Sequence, residues 1–240
     1  KFKYNYISNK KMSLQNTFND INNKLNYNVY NLLVSSYTKN LYEKFFKNCK
    51  RNAKILDIGI GNGYAIVKNE KIIKSKNLKI YGVDIDDYSV KKCKENIDKY
   101  NLNNNIKVVN KDFFKLTHHD YKSFINNEYF DIVFYSNSYS VIPNIGDFII
   151  HSKKYIHNNG SVITSTTLYN NYNKTMDFMK KNAKYLLFNI DFGRIITHEM
   201  IEEEIKAINF NLISKKLVHK HNLPLWGEVK VFCLVLRPNT

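Results

Sequence analysis

The spacing of apolar residues along the chain changes once, near residue 53. Before it, apolar residues recur at helical intervals, among them Leu25, Val29, Leu32, Leu41 and Phe45. This pattern predicts two N-terminal helices between Asn16 and Lys50. After it, short apolar runs alternate with amphipathic stretches, as strands alternate with helices in an α/β protein.

The later part of the chain contains seven predicted strands and five predicted helices. The strands are Lys54–Ile58, Lys79–Val83, Ile106–Val109, Phe130–Tyr135, Ser161–Thr166, Phe210–His219 and Val229–Arg237. The helices are Tyr64–Ser75, Asp87–Tyr100, Ile145–His157, Tyr172–Leu187 and His198–Ile208. The stretch around His118 and His119 is polar, and we expect these histidines to be solvated.

This order of elements predicts the fold class. Strands that alternate with helices form a parallel sheet with helices on both faces, joined by right-handed crossovers. A short Gly- and Pro-bearing link joins the last two strands, so we expect an antiparallel hairpin at one edge. The prediction is a doubly wound, mostly parallel, seven-stranded α/β domain over residues 51–240. Residues 1–50 would form an arm and lid-like helices.

Length and composition favour one folded domain. The chain has 240 residues, of which 43% are hydrophobic, enough for a packed core. No apolar run reaches the roughly 18 residues that span a bilayer. Cys49, Cys93 and Cys233 lie far apart in the sequence, which disfavours a disulfide framework and favours a reducing, cytoplasmic location.

The formal net charge of +16 has two explanations. A cationic surface attracts polyanions such as nucleic acid. Alternatively, the charge reflects an Asn- and Lys-rich composition, because lysines are spread along the whole chain and Asn and Lys crowd even the predicted loops.

A glycine-rich turn after the first strand is the strongest chemical signal. Lys54-Ile-Leu-Asp57 leads into Gly59-Ile-Gly61-Asn-Gly63, followed by Tyr64. Such glycines allow a sharp turn and let a ligand approach the backbone closely. A dinucleotide fingerprint requires a glycine where Tyr64 stands, and Asp57 is a poor neighbour for a pyrophosphate. A carboxylate suits a cationic ligand, and S-adenosylmethionine carries an ammonium and a sulfonium.

The segment Asp57-Ile-Gly59-Ile-Gly61-Asn-Gly63 resembles the first motif of class I S-adenosylmethionine-dependent methyltransferases. The resemblance covers roughly residues 54–237 and implies a Rossmann-like methyltransferase that uses this cofactor. It implies that Asp84 accepts hydrogen bonds from the ribose hydroxyls and that Ile85 flanks the adenine. It also implies that Asp112 accepts from the adenine amino group, with Phe113 as a plausible packing partner. The segment from Ser136 to Pro143 would border the reactive methyl group. The cofactor-binding residues predicted in this way are Asp57, Gly59, Gly61, Gly63, Asp84, Ile85, Asp112, Phe113 and Ser136.

Methyl transfer needs alignment and exclusion of water more than a set of catalytic side chains. If the acceptor must lose a proton, Tyr139 or His221 is the candidate base or orienting group. His219 and His221 could also be metal ligands, but no third ligand has suitable spacing, so no metal site is predicted.

Three functions remain open for the chain. The first is methylation of a small-molecule acceptor, with the N-terminal helices closing the pocket. The second is methylation of nucleic acid or protein through the basic surface. No Asp/Asn-Pro-Pro-Tyr/Phe or Pro-Cys motif follows the fourth strand, which weakly favours the first. The third is a methyltransferase-like partner protein without turnover, although the persistence of Asp57, Asp84 and Asp112 argues against decay of the site.

Overall fold

A computed structural model describes residues 37–136, 138–182, 193–223 and 227–239. The helix predicted before residue 37 lies outside these ranges. Within them, seven strands form one sheet: β1 (Lys54–Ile58), β2 (Lys79–Asp84), β3 (Ile106–Asn110), β4 (Phe130–Ser136), β5 (Ile156–Thr167), β6 (Phe210–Leu223) and β7 (Gly227–Pro238).

The sheet has the strand order β3-β2-β1-β4-β5-β7-β6. Neighbouring strands from β3 to β5 pair in parallel, and β7 runs antiparallel to both β5 and β6. The predicted doubly wound, mostly parallel sheet with a C-terminal antiparallel hairpin is therefore confirmed. The chain crosses from β3 to β4 on the other side of β1, so β1 and β4 form the switch point where such sheets bind ligands.

Helices cover both faces of the sheet. They are α1 (described over residues 37–48), α2 (Tyr64–Val67), α3 (Glu70–Ser75), α4 (Asp87–Lys99), α5 (His118–Ile125), α6 (Ile145–Ser152), α7 (Lys174–Asn182) and α8 (His198–Ala207). One core lies between the sheet and α5, α6 and α8. A second core lies on the opposite face, under α1, α3 and α4. No helix in the described ranges is both long and apolar enough to cross a bilayer.

Three helix predictions need correction. The segment Tyr64–Ser75 forms two helices, because Asn69 leaves the helical conformation and its amide donates to Lys39 O and Ala65 O. The helix predicted over Ile145–His157 ends at Ser152. The residues after it turn into β5, where a β-carbon on Gly160 would lie 2.8 Å from Ile156 Cβ.

The third correction is α5, which was absent from the sequence prediction. It begins with a capping box in which the Asp120 carboxylate accepts from the Thr117 N–H at 2.7 Å. The helix buries Tyr121 and Ile125. For the predicted helix Tyr172–Leu187, the structure describes α7 over Lys174–Asn182, and residues 183–187 lie outside the described ranges.

Candidate functional site

The glycine-rich turn joins β1 to α2 at the carboxyl edge of the sheet. Gly59, Gly61 and Gly63 all have positive φ, between 61° and 73°, a conformation that glycine adopts without strain. The Gly59 N–H donates to Val83 O at 2.8 Å, so the turn folds over the end of β2. This contact brings the glycines beside Asp84, the last residue of β2.

Asp84 holds the glycine turn through its carboxylate. One oxygen accepts from the Gly61 N–H at 2.8 Å, and the other accepts from the Asp86 N–H at 3.0 Å. Partial burial raises the pKa of Asp84, although these backbone donors act in the opposite direction. The carboxylate keeps lone pairs for a further donor, since each oxygen can accept two hydrogen bonds.

Gly61 and Gly63 differ in their surroundings. A β-carbon built on Gly61 would meet no atom within 4 Å, whereas one on Gly63 would lie 2.4 Å from Cys93 Sγ. The backbone at Gly61 therefore faces open space that a ligand can occupy. Packing against α4 therefore requires a glycine at position 63, and the predicted contact of Gly63 with the cofactor stays a prediction.

Asp57 is buried under α1, with only 1% of its surface exposed. Its Oδ2 accepts from the Tyr42 hydroxyl at 2.8 Å, while its Oδ1 has no hydrogen-bond partner. Burial raises the pKa of Asp57 to about 7, Tyr42 opposes this shift, and nearby Asp84 adds to it. A buried carboxylate oxygen without a partner is costly for the fold, which points to a cationic or donor ligand as the missing partner.

Sequence reasoning missed Tyr42. The helical pattern placed its neighbours Leu41 and Phe45 on a buried face, and Tyr42 continues that face. The hydroxyl of a buried tyrosine usually has a hydrogen-bond partner, so a tyrosine on this face indicates a buried polar contact. No sequence pattern indicates that the partner is Asp57.

The predicted adenine-binding residues lie at the ends of β2 and β3, which are adjacent in the sheet. Ile85 is 77% exposed. Asp112 caps a 3-10 turn (Phe113–Lys115) by accepting from the Phe114 N–H at 3.0 Å. Phe113 is only 2% exposed and packs on Tyr155 and Phe148 in the core. The ring that remains accessible beside Asp112 is Phe114, at 43% exposure, so Phe114 replaces Phe113 as the candidate packing partner.

The segment after β4 lies against the glycine turn. Ser138 Oγ lies 3.5 Å from Ile58 O, and the same distance from the position of a β-carbon on Gly59. Ser136, the last residue of β4, has a buried hydroxyl without a hydrogen-bond partner. The structure thus brings Ser136 close to the edge where Asp57 and Gly59 lie, because β1 and β4 are neighbours.

Tyr139 belongs to the core on the face of the sheet that α5, α6 and α8 cover. Its side chain is buried, and its hydroxyl donates to Glu204 Oε2 at 2.9 Å. Glu204 also receives a bidentate pair from Arg194, at 2.7 and 2.8 Å. Burial and the Glu204 charge raise the pKa of Tyr139. This arrangement favours a structural role for Tyr139 over the predicted role as a base.

His221 lies on β6, opposite Val229 of β7. Strand β6 is three strands away from β4 in the sheet, or about 14 Å at the usual strand spacing. The sheet therefore does not bring the backbone of His221 next to the glycine turn.

A cleft among the described residues is separate from the glycine turn. It has a volume of about 750 Å³ and is lined by the loop from Ser140 to Asn144, the start of α6, Arg194 and the end of α8. None of Asp57, Gly61 and Asp84 lines it. A large volume does not by itself make this cleft a candidate cofactor site. The unpartnered Asp57 carboxylate and the open backbone at Gly61 lie outside it.

Comparison with solved structures identifies the fold. An S-adenosylmethionine-dependent methyltransferase from Aquifex aeolicus superposes with a TM-score of 0.60 at 14% identity, over 88% of this chain and 97% of that chain. Geranyl diphosphate C-methyltransferase from Streptomyces coelicolor A3(2), solved with Mg²⁺, geranyl diphosphate and S-adenosyl-L-homocysteine, has a TM-score of 0.61 at 9% identity, over 85% and 79%. The [4+2]-cyclase SpnF also superposes, with a TM-score of 0.61 at 11% identity, over 84% and 82%. At such identities the likeness shows the fold alone.

A comparison of the sequence with protein-family models identifies the family. No curated protein matches it. A family model described as a methyltransferase domain matches residues 49–220, which include both the glycine turn and Asp84. Because this match covers well over half of the chain, the protein belongs to the methyltransferase domain family.

Proposed function

We propose that the chain binds S-adenosylmethionine at the glycine turn and transfers its methyl group to a small-molecule acceptor. The observation that carries the proposal is the buried Asp57 carboxylate, whose Oδ1 lacks a partner, at the end of the strand that leads into the open backbone of Gly61. A cationic ligand at this position would supply the missing partner. The ammonium of S-adenosylmethionine fits this requirement, whereas a pyrophosphate would meet a repulsive carboxylate.

The groups around the glycine turn also fit the adenosyl part of this cofactor. The carboxylate of Asp84 would accept from the ribose hydroxyls. Asp112 would accept from the adenine amino group, between the exposed side chains of Ile85 and Phe114. All four lie at the adjoining ends of β2 and β3, so one ligand could reach them together.

When bound, the cofactor supplies a methyl group that its sulfonium already activates. The chain must then orient the acceptor and exclude water. Ser138 lies against the glycine turn and would contact the acceptor side. Helix α1 covers the Asp57 side, through the contact between Tyr42 and Asp57.

A small acceptor is favoured because no Asp/Asn-Pro-Pro-Tyr/Phe or Pro-Cys motif follows β4. Lysines on the long C-terminal hairpin are paired with carboxylates: Lys215 with Glu202, and both Lys220 and Lys230 with Glu228. Such pairing offsets part of the positive charge on the hairpin, and the chain as a whole keeps its net charge of +16. Methylation of RNA or protein remains the alternative outcome of the test below.

The test has two stages. Calorimetric titration with S-adenosylhomocysteine should show binding at one site, with matching thermal stabilisation. Methyl transfer from tritiated S-adenosylmethionine is then measured with small-molecule, RNA and protein fractions from the native cell. Label in the small-molecule fraction supports the proposal, and label in RNA or protein contradicts its acceptor. Binding without any transfer would indicate a partner protein without turnover, and absence of binding would refute the proposal altogether.

A further inference from the structure

The amino-terminal edge of the sheet, opposite the glycine turn, carries an excess of cations. Three connections enter β1, β2 and β3 at this edge, formed by residues 47–54, 74–79 and 98–107. Together they contain nine lysines and arginines and a single carboxylate, on Asp98, whereas the whole chain has 37 cations and 21 carboxylates. We call these connections the amino-edge surface. Its cations are Lys47, Lys50, Arg51, Lys54, Lys74, Lys76, Lys79, Lys99 and Lys107.

Hydrogen bonds join the three connections into one continuous surface. Lys76 Nζ, in the second connection, donates to Lys47 O and Cys49 O of the first, each at 2.6 Å. Lys74 Nζ, also in the second, donates to Tyr100 O of the third at 3.1 Å. Cations that are far apart in the sequence therefore form one patch, which the even spread of lysines along the chain does not reveal.

The first residues of the strands add a row of lysines on one face of the sheet. Lys54 of β1 pairs in register with Lys79 of β2, and Lys107 of β3 pairs with Tyr81, two residues after Lys79. Because side chains alternate along a strand, the three lysines point to the same face. Two strand spacings make this row about 10 Å long. One strand of nucleic acid carries a phosphate for every 3.4 Å or so, so the row matches about three phosphates of one strand.

Most of these cations have no carboxylate partner. Two of the nine, Lys47 and Lys74, pair with glutamates of their own helices. For the side chains of the other seven, no carboxylate oxygen of the described ranges lies within 4.0 Å. Lys50, Arg51 and Lys107 are also exposed. Clustered and exposed cations of this kind create the local field that attracts a polyanion.

The residues between the cations favour RNA as the polyanion. A membrane-docking surface inserts aromatic or aliphatic side chains into the lipid interface, but no large apolar side chain is exposed in these three connections, all of which the structure describes. Exposed asparagines stand there instead, and their amides can bind phosphate and sugar oxygens. The 2′-hydroxyl of RNA gives them a partner that DNA lacks. The exposed asparagines are Asn48, Asn52, Asn77, Asn101, Asn103 and Asn104.

We propose that the amino-edge surface binds single-stranded RNA through its phosphates. The length of β1, about 15 Å at the usual rise per residue, separates this surface from the glycine turn. RNA bound here is therefore a partner of the chain and not its methyl acceptor. The inference goes beyond the proposed function and stands whether or not the acceptor is a small molecule.

The test measures the fluorescence anisotropy of a labelled oligouridine RNA, about 20 nucleotides long, between about 50 and 200 mM salt. The variant Lys50→Glu/Lys107→Glu changes two exposed side chains of the surface. It should weaken RNA binding about tenfold or more at the lowest salt. The slope of log affinity against log salt should also fall by about 1.4, because each phosphate contact of a single strand contributes about 0.7.

The matched control is Lys174→Glu/Lys216→Glu. These lysines are exposed on α7 and β6, outside the amino-edge surface. The control changes the net charge by the same amount, so it separates a local surface from the cationic composition of the chain. Its affinity for the RNA should stay within about twofold of the unaltered chain, because the field of the surface is local.

The outcomes decide between the explanations. Selective weakening by Lys50→Glu/Lys107→Glu supports the surface. Equal weakening by both variants, or no RNA binding by the unaltered chain, overturns it. Tighter binding to oligothymidine DNA of the same length, or to vesicles of phosphatidylserine and phosphatidylcholine, contradicts the choice of RNA. Titration with S-adenosylhomocysteine is a separate measurement, and its failure would refute the proposed function while leaving the amino-edge surface standing.

Discussion

Replacing Asp57 by Asn should stabilise the chain at alkaline pH while weakening cofactor binding. The carboxylate is buried, and a single side-chain hydrogen bond, from Tyr42, compensates it in the described structure. The titratable groups that face it are Tyr42 on α1, Asp84 on β2 and Cys93 on α4, and none of these is a cation. An amide retains the acceptor for Tyr42 and removes the buried charge.

The magnitude follows from the pKa of Asp57, which rises from an ordinary value of 3.8 to about 7. A raised pKa means that the folded state holds the proton more tightly than the unfolded state. The protonated Asp57 therefore contributes fully to the free energy of unfolding below pH 3.8, and this contribution is lost as the pH rises through 7. At about 1.4 kcal/mol for each pKa unit, the ionised group destabilises the fold by at most about 4 kcal/mol above pH 7.

Urea unfolding of both proteins at pH 5 and pH 8.5 measures this effect. The advantage of Asp57→Asn in the free energy of unfolding should grow by about 3 kcal/mol between the two pH values. Asp98→Asn, which alters an exposed carboxylate on α4, is the control and should show no such growth. An advantage that is equal at both pH values would refute the argument from burial. The same variant should bind S-adenosylhomocysteine more weakly, because the ammonium loses its anionic partner.

Three further predictions concern the rest of the site. Asp84→Asn should weaken S-adenosylhomocysteine about tenfold by calorimetry, because the Gly61 N–H, the Asp86 N–H and the ribose would compete for one remaining acceptor oxygen; an unchanged Kd would remove Asp84 from the site. Gly61→Ala and Gly63→Ala carry a similar backbone strain of about 1–2 kcal/mol, but only the second would clash with Cys93. The melting temperature should therefore fall further for Gly63→Ala than for Gly61→Ala. Gly61→Ala should instead lose ligand binding while the fold stays nearly intact. Equal melting temperatures of the two variants would contradict the packing argument. Tyr139→Phe should lower stability by about 1–3 kcal/mol through loss of its hydrogen bond to the charged Glu204, which keeps its pair with Arg194. The pH dependence of methyl transfer should stay unchanged, and a shifted pH profile would restore Tyr139 as a base.

The sheet was predictable from the sequence because its signals are local. The strands from β1 to β4 are short, largely apolar runs, and each is followed by a turn or a helix cap. The helix errors arose where side-chain hydrogen bonds override periodicity. Asn69 separates α2 from α3, and its side-chain amide donates hydrogen bonds to backbone carbonyls there. Asp120 is part of the capping box that begins α5. Polar residues of this kind are typical of loops when only the sequence is considered.

The candidate site was only partly predictable for a different reason. The glycine turn and Asp84 lie at sequence positions fixed by strand ends, so their spacing reveals them. The contact between Tyr42 and Asp57 joins residues 15 positions apart on different elements, and no periodic pattern encodes it. Phe113 and Phe114 are adjacent and chemically identical, so only their burial separates a core residue from a surface one.

A crystal structure determined with S-adenosylhomocysteine is the most direct test of the account. We predict the ribose hydroxyls on the Asp84 carboxylate and the ammonium on Asp57 Oδ1, each at about 3 Å, with the ligand passing over Gly61. Density for the ligand in the cleft between α6 and α8, away from these carboxylates, would contradict the account.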